Sequence, residues 1–132
     1  MLGTPSFGIV RTLDCGYDEA IPRIRASLAS QGFGVLTEID MKATIKKKLG
    51  HDMNPYLILG ACHPPSAWEA VSAEPAIGLL LPCNVVVTTD DAGKAVIGAI
   101  EPEAMFSVVQ TPGMQPIVDD VKQRLQAAID AA

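Results

Sequence analysis

The stretch Tyr56-Leu-Ile-Leu-Gly-Ala-Cys-His-Pro64 is apolar from Tyr56 to Cys62 without a break. A strand with one face in water alternates apolar and polar residues, and this one does not. It is therefore expected to be a central strand covered on both faces. A second run, Leu79–Thr88 (Leu-Leu-Leu-Pro-Cys-Asn-Val-Val-Val-Thr), has the same character. The two are read as neighbouring central strands, each carrying one cysteine, Cys62 and Cys83.

Upstream, Phe7–Asp14 reads as a first strand that Gly16 breaks. Ile21, Ile24 and Leu28 then recur at helical spacing, with Asp18 or Glu19 as N-cap and Gly32 as the C-terminal stop. Phe33–Ile39 follows as a second strand whose far end turns polar. Asp40 is placed to cap a helix over Met41–Leu49, with Met41, Ile45 and Leu49 expected toward the core. Lys46, Lys47 and Lys48 fall in its last turn, where cations suit the helix dipole, and Gly50 ends it.

Downstream, Ser66-Ala-Trp-Glu69 has the form of a capping box for a helix reaching about Glu74, with Trp68 and Val71 expected inside. Pro82 cannot donate to a ladder, so the next strand starts or bulges there. Asp90-Asp-Ala-Gly93 reads as a hairpin turn, and Lys94–Ile100 as the last strand. Pro102 opens a short helical segment. Ile117, Val121, Leu125 and Ala128 make the stripe of a closing helix over about residues 114–130.

These elements define a single α+β domain over residues 1–132. Its sheet is expected to be mixed or mainly antiparallel, with helices on one face. The other face would be too apolar for water, which points to a partner chain and to a homodimer formed through that face. The formal charge of −5 argues against general nucleic-acid binding. No apolar run reaches the length of a membrane span, and the first residues lack the pattern of a signal peptide. Three cysteines, an odd count, suit free thiols in a reducing cytoplasm.

The candidates for chemistry are few. Cys62 and Cys83 end and begin neighbouring strands, so their thiols could form a metal site, a redox pair or a nucleophile. Two buried small apolar residues is the preferred reading, because free cysteine is among the most buried residue types. His63 follows Cys62 directly and would point to the opposite face of a regular strand. Glu38 and Asp40 would share a strand face and, with Lys42, could do acid–base work or hold a cation; a cap and an ion pair explain them more simply. Any pocket is expected where Glu38, Asp40 and Lys42 meet the strand ends carrying Cys62, His63, Cys83 and Asn84. The glycines form no phosphate-binding pattern, the two histidines form no metal motif, and no catalytic signature or cofactor is predicted.

Three segments together, Gly32–Gly50, Ile58–Pro64 and Glu74–Val87, resemble the domain of unknown function 302 family. The resemblance runs from about Phe7 through Phe106 and includes Glu101-Pro-Glu-Ala-Met105. It implies a β-α-β(4)-α sheet similar to the TATA-box-binding-protein fold, with an additional helix and often as a dimer. Likeness of fold does not import DNA binding. Cys62 and Cys83 fall on the family's motif positions and Cys15 does not. Where His63 stands, the family pattern often has Asn, so a role for this histidine would be peculiar to this chain.

Overall fold

The computed structural model describes residues 2–132. Five strands form one sheet: β1 (Gly8–Thr12), β2 (Gly34–Asp40), β3 (Tyr56–Cys62), β4 (Cys83–Thr89) and β5 (Ala95–Ile100). Their order is β1-β5-β4-β3-β2, and every neighbouring pair is antiparallel. The helices are α1 (Tyr17–Ser30), α2 (Met41–Leu49), α3 (Pro64–Ala73), α4 (Pro102–Phe106) and α5 (Gln115–Ala131), with a 3-10 turn at Pro75–Leu79. With α2 and α3 counted as insertions between strands and α4 as an additional short helix before α5, the order is the β-α-β(4)-α of an α+β fold. The two apolar runs are adjacent central strands as expected, with Ala61 opposite Cys83.

Helix α1 carries the chain from one edge of the sheet, β1, to the other, β2. Its buried Ala20, Ile24 and Leu28 pack with Ile117, Val121, Leu125 and Ala128 of α5 over the sheet face that presents Leu59, Val85, Val87 and Ile97. This aliphatic layer is the core, and its burial is the main force holding the sheet to the helices.

The other face carries Ile58, Val86 and Ile100, all partly exposed. Neither Ile58 nor Val86 belongs to the core layer under α1 and α5. The segment before β1 lies across part of this face: a Cβ added to Gly98 would sit 3.1 Å from Leu2 Cδ1, and one added to Gly8 3.0 Å from Pro5 Cγ. The expectation of strands covered on both faces is therefore met by helices on one side and only partly by chain on the other.

Several local expectations change. The residue before α1 is Gly16, with no side-chain cap, and Asp18 and Glu19 lie inside the first turn, where the dipole favours them. Helix α2 is capped by Asp40, which accepts from the backbone of Ala43, but it buries none of its residues, and Leu49 is 63% exposed. It approaches the sheet mainly at β3 and β2, which leaves Met41 and Ile45 half-buried and Leu49 exposed. Helix α3 begins two residues before the supposed capping box, with His63 at the N-cap position. Its buried residues are Ser66 and Ala70, one turn apart, which turns Trp68 outward at 75% exposure and leaves Val71 exposed as well. Prolines at the first positions set that start, since each lacks the N–H that a first turn leaves unpaired.

Candidate functional site

At the end of the sheet where β3 finishes and β4 begins, the chain leaves a cleft of about 290 Å³. Leu81-Pro82, joined by a cis peptide, and Phe33 form two of its walls. Leu36 and Thr37 of β2, Ala67 and Ala70 of α3, Phe106 of α4, and Ile117 and Val121 of α5 also line it. Small residues on α3 face large ones on α5, so the helix layer stops short of filling the space. The walls are almost wholly apolar, the usual build of a small-molecule site.

Three of the residues expected at a pocket line this cleft: Cys62, His63 and Cys83. Glu38, Asp40, Lys42 and Asn84 are not among its walls. Glu38 forms an ion pair with Arg25 of α1. Asp40 is occupied by the α2 cap. Lys42 is exposed on α2. Asn84 is exposed opposite Gly60, and strand alternation turns it to the sheet face away from Cys83.

Cys83 is 5% exposed, and burial, aided by the nearby Cys62, pushes its thiol up to about 11. At neutral pH it is a protonated, weakly nucleophilic group. The described residues include no group of three His, Cys, Asp or Glu side chains placed to hold a metal ion.

The polar end of the cleft is built around His63, whose side chain is 9% exposed. Its ring packs against Phe33 with centroids 5.9 Å apart and planes at 60°. Its Nδ1 lies 2.6 Å from Ser66 Oγ, and Ser66 Oγ donates to Asp120 Oδ2 at 3.3 Å. Arg124 Nε donates to the same carboxylate oxygen at 3.0 Å, while its Nη1 donates to the Gln31 carbonyl at 3.0 Å. A hydroxyl has one proton. If Ser66 gives it to Asp120, its oxygen must accept from His63, which puts the imidazole proton on Nδ1. Burial, and next the Arg124 guanidinium, hold the imidazole below its ordinary value, against the pull of Asp120 and Glu69. Asp120 is held below the usual carboxylate range, chiefly by its bond from Arg124.

Ser66, Asp120 and Arg124 do not stand out in the sequence as site residues. Ser66 looks like a helix cap, and Asp120 is 54 residues further on. The available signal is Asp120 and Arg124 at i,i+4 on α5, beside the buried stripe.

The model of the family described as Domain of unknown function DUF302 matches residues 9–132, and the chain belongs to that family. The chain is also similar to an uncharacterised conserved DUF302 protein of known crystal structure from Bacillus stearothermophilus. The two share 30% identity and superpose with a TM-score of 0.88, over 96% of this chain and 98% of that one. No curated protein matches the chain. None of its helices, among the described residues, is long and apolar enough to cross a membrane.

Proposed function

We propose that this protein is a non-catalytic binding domain for a small, largely apolar molecule held in the cleft, and that it works as a homodimer through its open sheet face. The observation that carries the reading is the cleft itself. An apolar space of about 290 Å³ with one ordered polar end is a build that selects a ligand rather than one that core packing would leave. The buried, protonated Cys83 supports a wall rather than a nucleophile. Three thiols, none in a disulfide, suit a reducing compartment such as the cytoplasm.

Native mass spectrometry of freshly purified protein tests the cleft. The expected result is a carried-over small mass that is lost in Ala67→Phe, a substitution at a half-buried position of the wall. Retention of the mass in a folded Ala67→Phe variant would place the ligand elsewhere. Protein that carries nothing, and whose cleft residues show no NMR shift changes with small aromatic probes, would remove the reading.

A further inference from the structure

We propose that His63 Nε2 is the anchor of the cleft, and that the ligand it selects carries a neutral hydrogen-bond-donating head, a hydroxyl of the phenol or alcohol type, on an apolar body. The proposal rests on the cleft being a binding site and adds the chemistry of what it takes.

The argument starts from the proton count. Asp120 is charged and shared between Arg124 and Ser66. That orders the chain of bonds in one direction, from the imidazole Nδ1 to Ser66 to Asp120. Nε2 is left as a bare acceptor. It has no hydrogen-bond partner among the described residues, although the side chain is nine-tenths buried. Every fully buried side-chain nitrogen or oxygen among those residues does have a partner, so Nε2 keeps some exposure, and His63 is one of the residues that line the cleft. An unpaired acceptor on a mostly buried ring beside an apolar cleft is costly to desolvate unless the ligand supplies a donor.

The surroundings choose among donors. The positive guanidinium of Arg124 lies nearby, its Nη1 3.7 Å from the point where a Gly32 side chain would begin, and Nε2 3.3 Å from the same point. That charge disfavours a cationic head such as an ammonium. A carboxylate offers no proton to Nε2 and would set its charge against the imidazole lone pair. A neutral hydroxyl satisfies the acceptor without bringing charge into an apolar cleft. Gly32 is part of the device: at φ +83° and with an added Cβ only 3.0 Å from His63 Cδ2, a side chain there would displace the ring.

The test compares p-cresol with p-xylene, bodies of nearly one shape that differ in the head group, on the wild type and on His63→Phe, by NMR titration near neutral pH. The expected result is that the substitution weakens p-cresol by about ten-fold, the worth of one buried hydrogen bond, and leaves p-xylene nearly unchanged. Equal loss for both, or no loss for either, would overturn the anchor while leaving the cleft as a site. Absence of binding by either probe at millimolar concentration would overturn the cleft reading and the anchor together. Benzoate binding more tightly than p-cresol would overturn the neutral-donor class. If His63→Phe fails to fold, nitrogen-15 shifts of the wild-type imidazole decide: a proton on Nδ1 supports the proposal, and a proton on Nε2 overturns it.

Discussion

Single side chains carry the chemistry of this molecule, and two of them make measurable predictions. Cys83 has its thiol pushed up to about 11 by burial beside Cys62. Its reaction with an alkylating reagent at pH 8 is expected to be roughly a hundred-fold slower than that of an ordinary thiol, because the thiolate is the reacting form. In a Cys15→Ser, Cys62→Ser variant the native rate should rise with pH up to about 11 and become ordinary on unfolding; fast native labelling at pH 7 would restore the reading of a reactive thiol. His63 is held below its ordinary value of 6.5, first by burial and then by Arg124, while Asp120 and Glu69 pull the other way. As the pH falls through about 6.5 the unfolded chain takes up a proton before the folded one does. Stability that is fully present above that pH is therefore lost as it falls toward the folded value. His63→Phe lacks this term, so its stability in urea should fall less between pH 7 and pH 5 than that of the wild type; parallel curves would show that the imidazole is not the group responsible. Cys62, His63 and Cys83 were legible as candidates because they stand where one apolar strand ends and the next begins. Ser66, Asp120 and Arg124 were not, because their meaning arises only when α3 and α5 pack side by side.

At the scale of elements, the strands and the helices were legible, α2 to its limits and its cap, and the buried faces of α2 and α3 were not. The unbroken apolar runs of β3 and β4 and the α5 stripe record burial in a layer, so they survive into the fold. Met41, Ile45 and Leu49 of α2 and Trp68 and Val71 of α3 have apolar spacing too, but α2 buries none of its residues and α3 turns Ser66 and Ala70 inward instead. Two element contacts can be tested by substitution. The pairing of β2 with β3 shifts register between Val35 and Thr37, which brings Thr37 over Gly60. A Cβ at residue 60 would lie 2.1 Å from Thr37 Oγ1 and 2.7 Å from Pro82 Cγ. Gly60→Ala should therefore cost about 1–3 kcal/mol in urea unfolding through overpacking, with part returned by adding Thr37→Ala. No loss would mean that the β2 edge yields freely. At the other end of the molecule, Arg11 Nη1 donates to the carbonyls of Ile129, Asp130 and Ala132 at 3.0, 2.9 and 3.1 Å. One guanidinium of β1 thus satisfies carbonyls that the last turn of α5 leaves open. Arg11→Met should cost about 1.5–3 kcal/mol, and it should speed amide exchange in the last turn of α5 more than elsewhere. A uniform change in exchange would assign the loss to the sheet instead.

The whole molecule is one sheet with two unequal faces, and that asymmetry argues for a second copy. One face is sealed by α1 and α5. The other presents Ile58, Val86 and Ile100 partly exposed, and a groove of about 340 Å³ runs over it between Phe7, Tyr56 and Val86. Phe7, at the groove's edge, is 62% exposed. Contiguous apolar surface of this kind marks an interaction site in soluble proteins. A two-fold dimer can cover it with the same residues from each copy, which requires no separate partner. The net charge of −5 on each copy opposes association, so the dimer should strengthen modestly as salt is raised. Sedimentation at tens of micromolar should find twice the mass of the chain. Val86→Lys, at the middle of the face, should return it to the monomer, because two ammonium groups would meet near the axis in an apolar contact. Helix α1 and the cleft are on the sealed side or at the sheet end, so circular dichroism and probe binding in the cleft should survive the substitution. Wild-type protein that remains monomeric at that concentration would leave the open face to the segment before β1 alone.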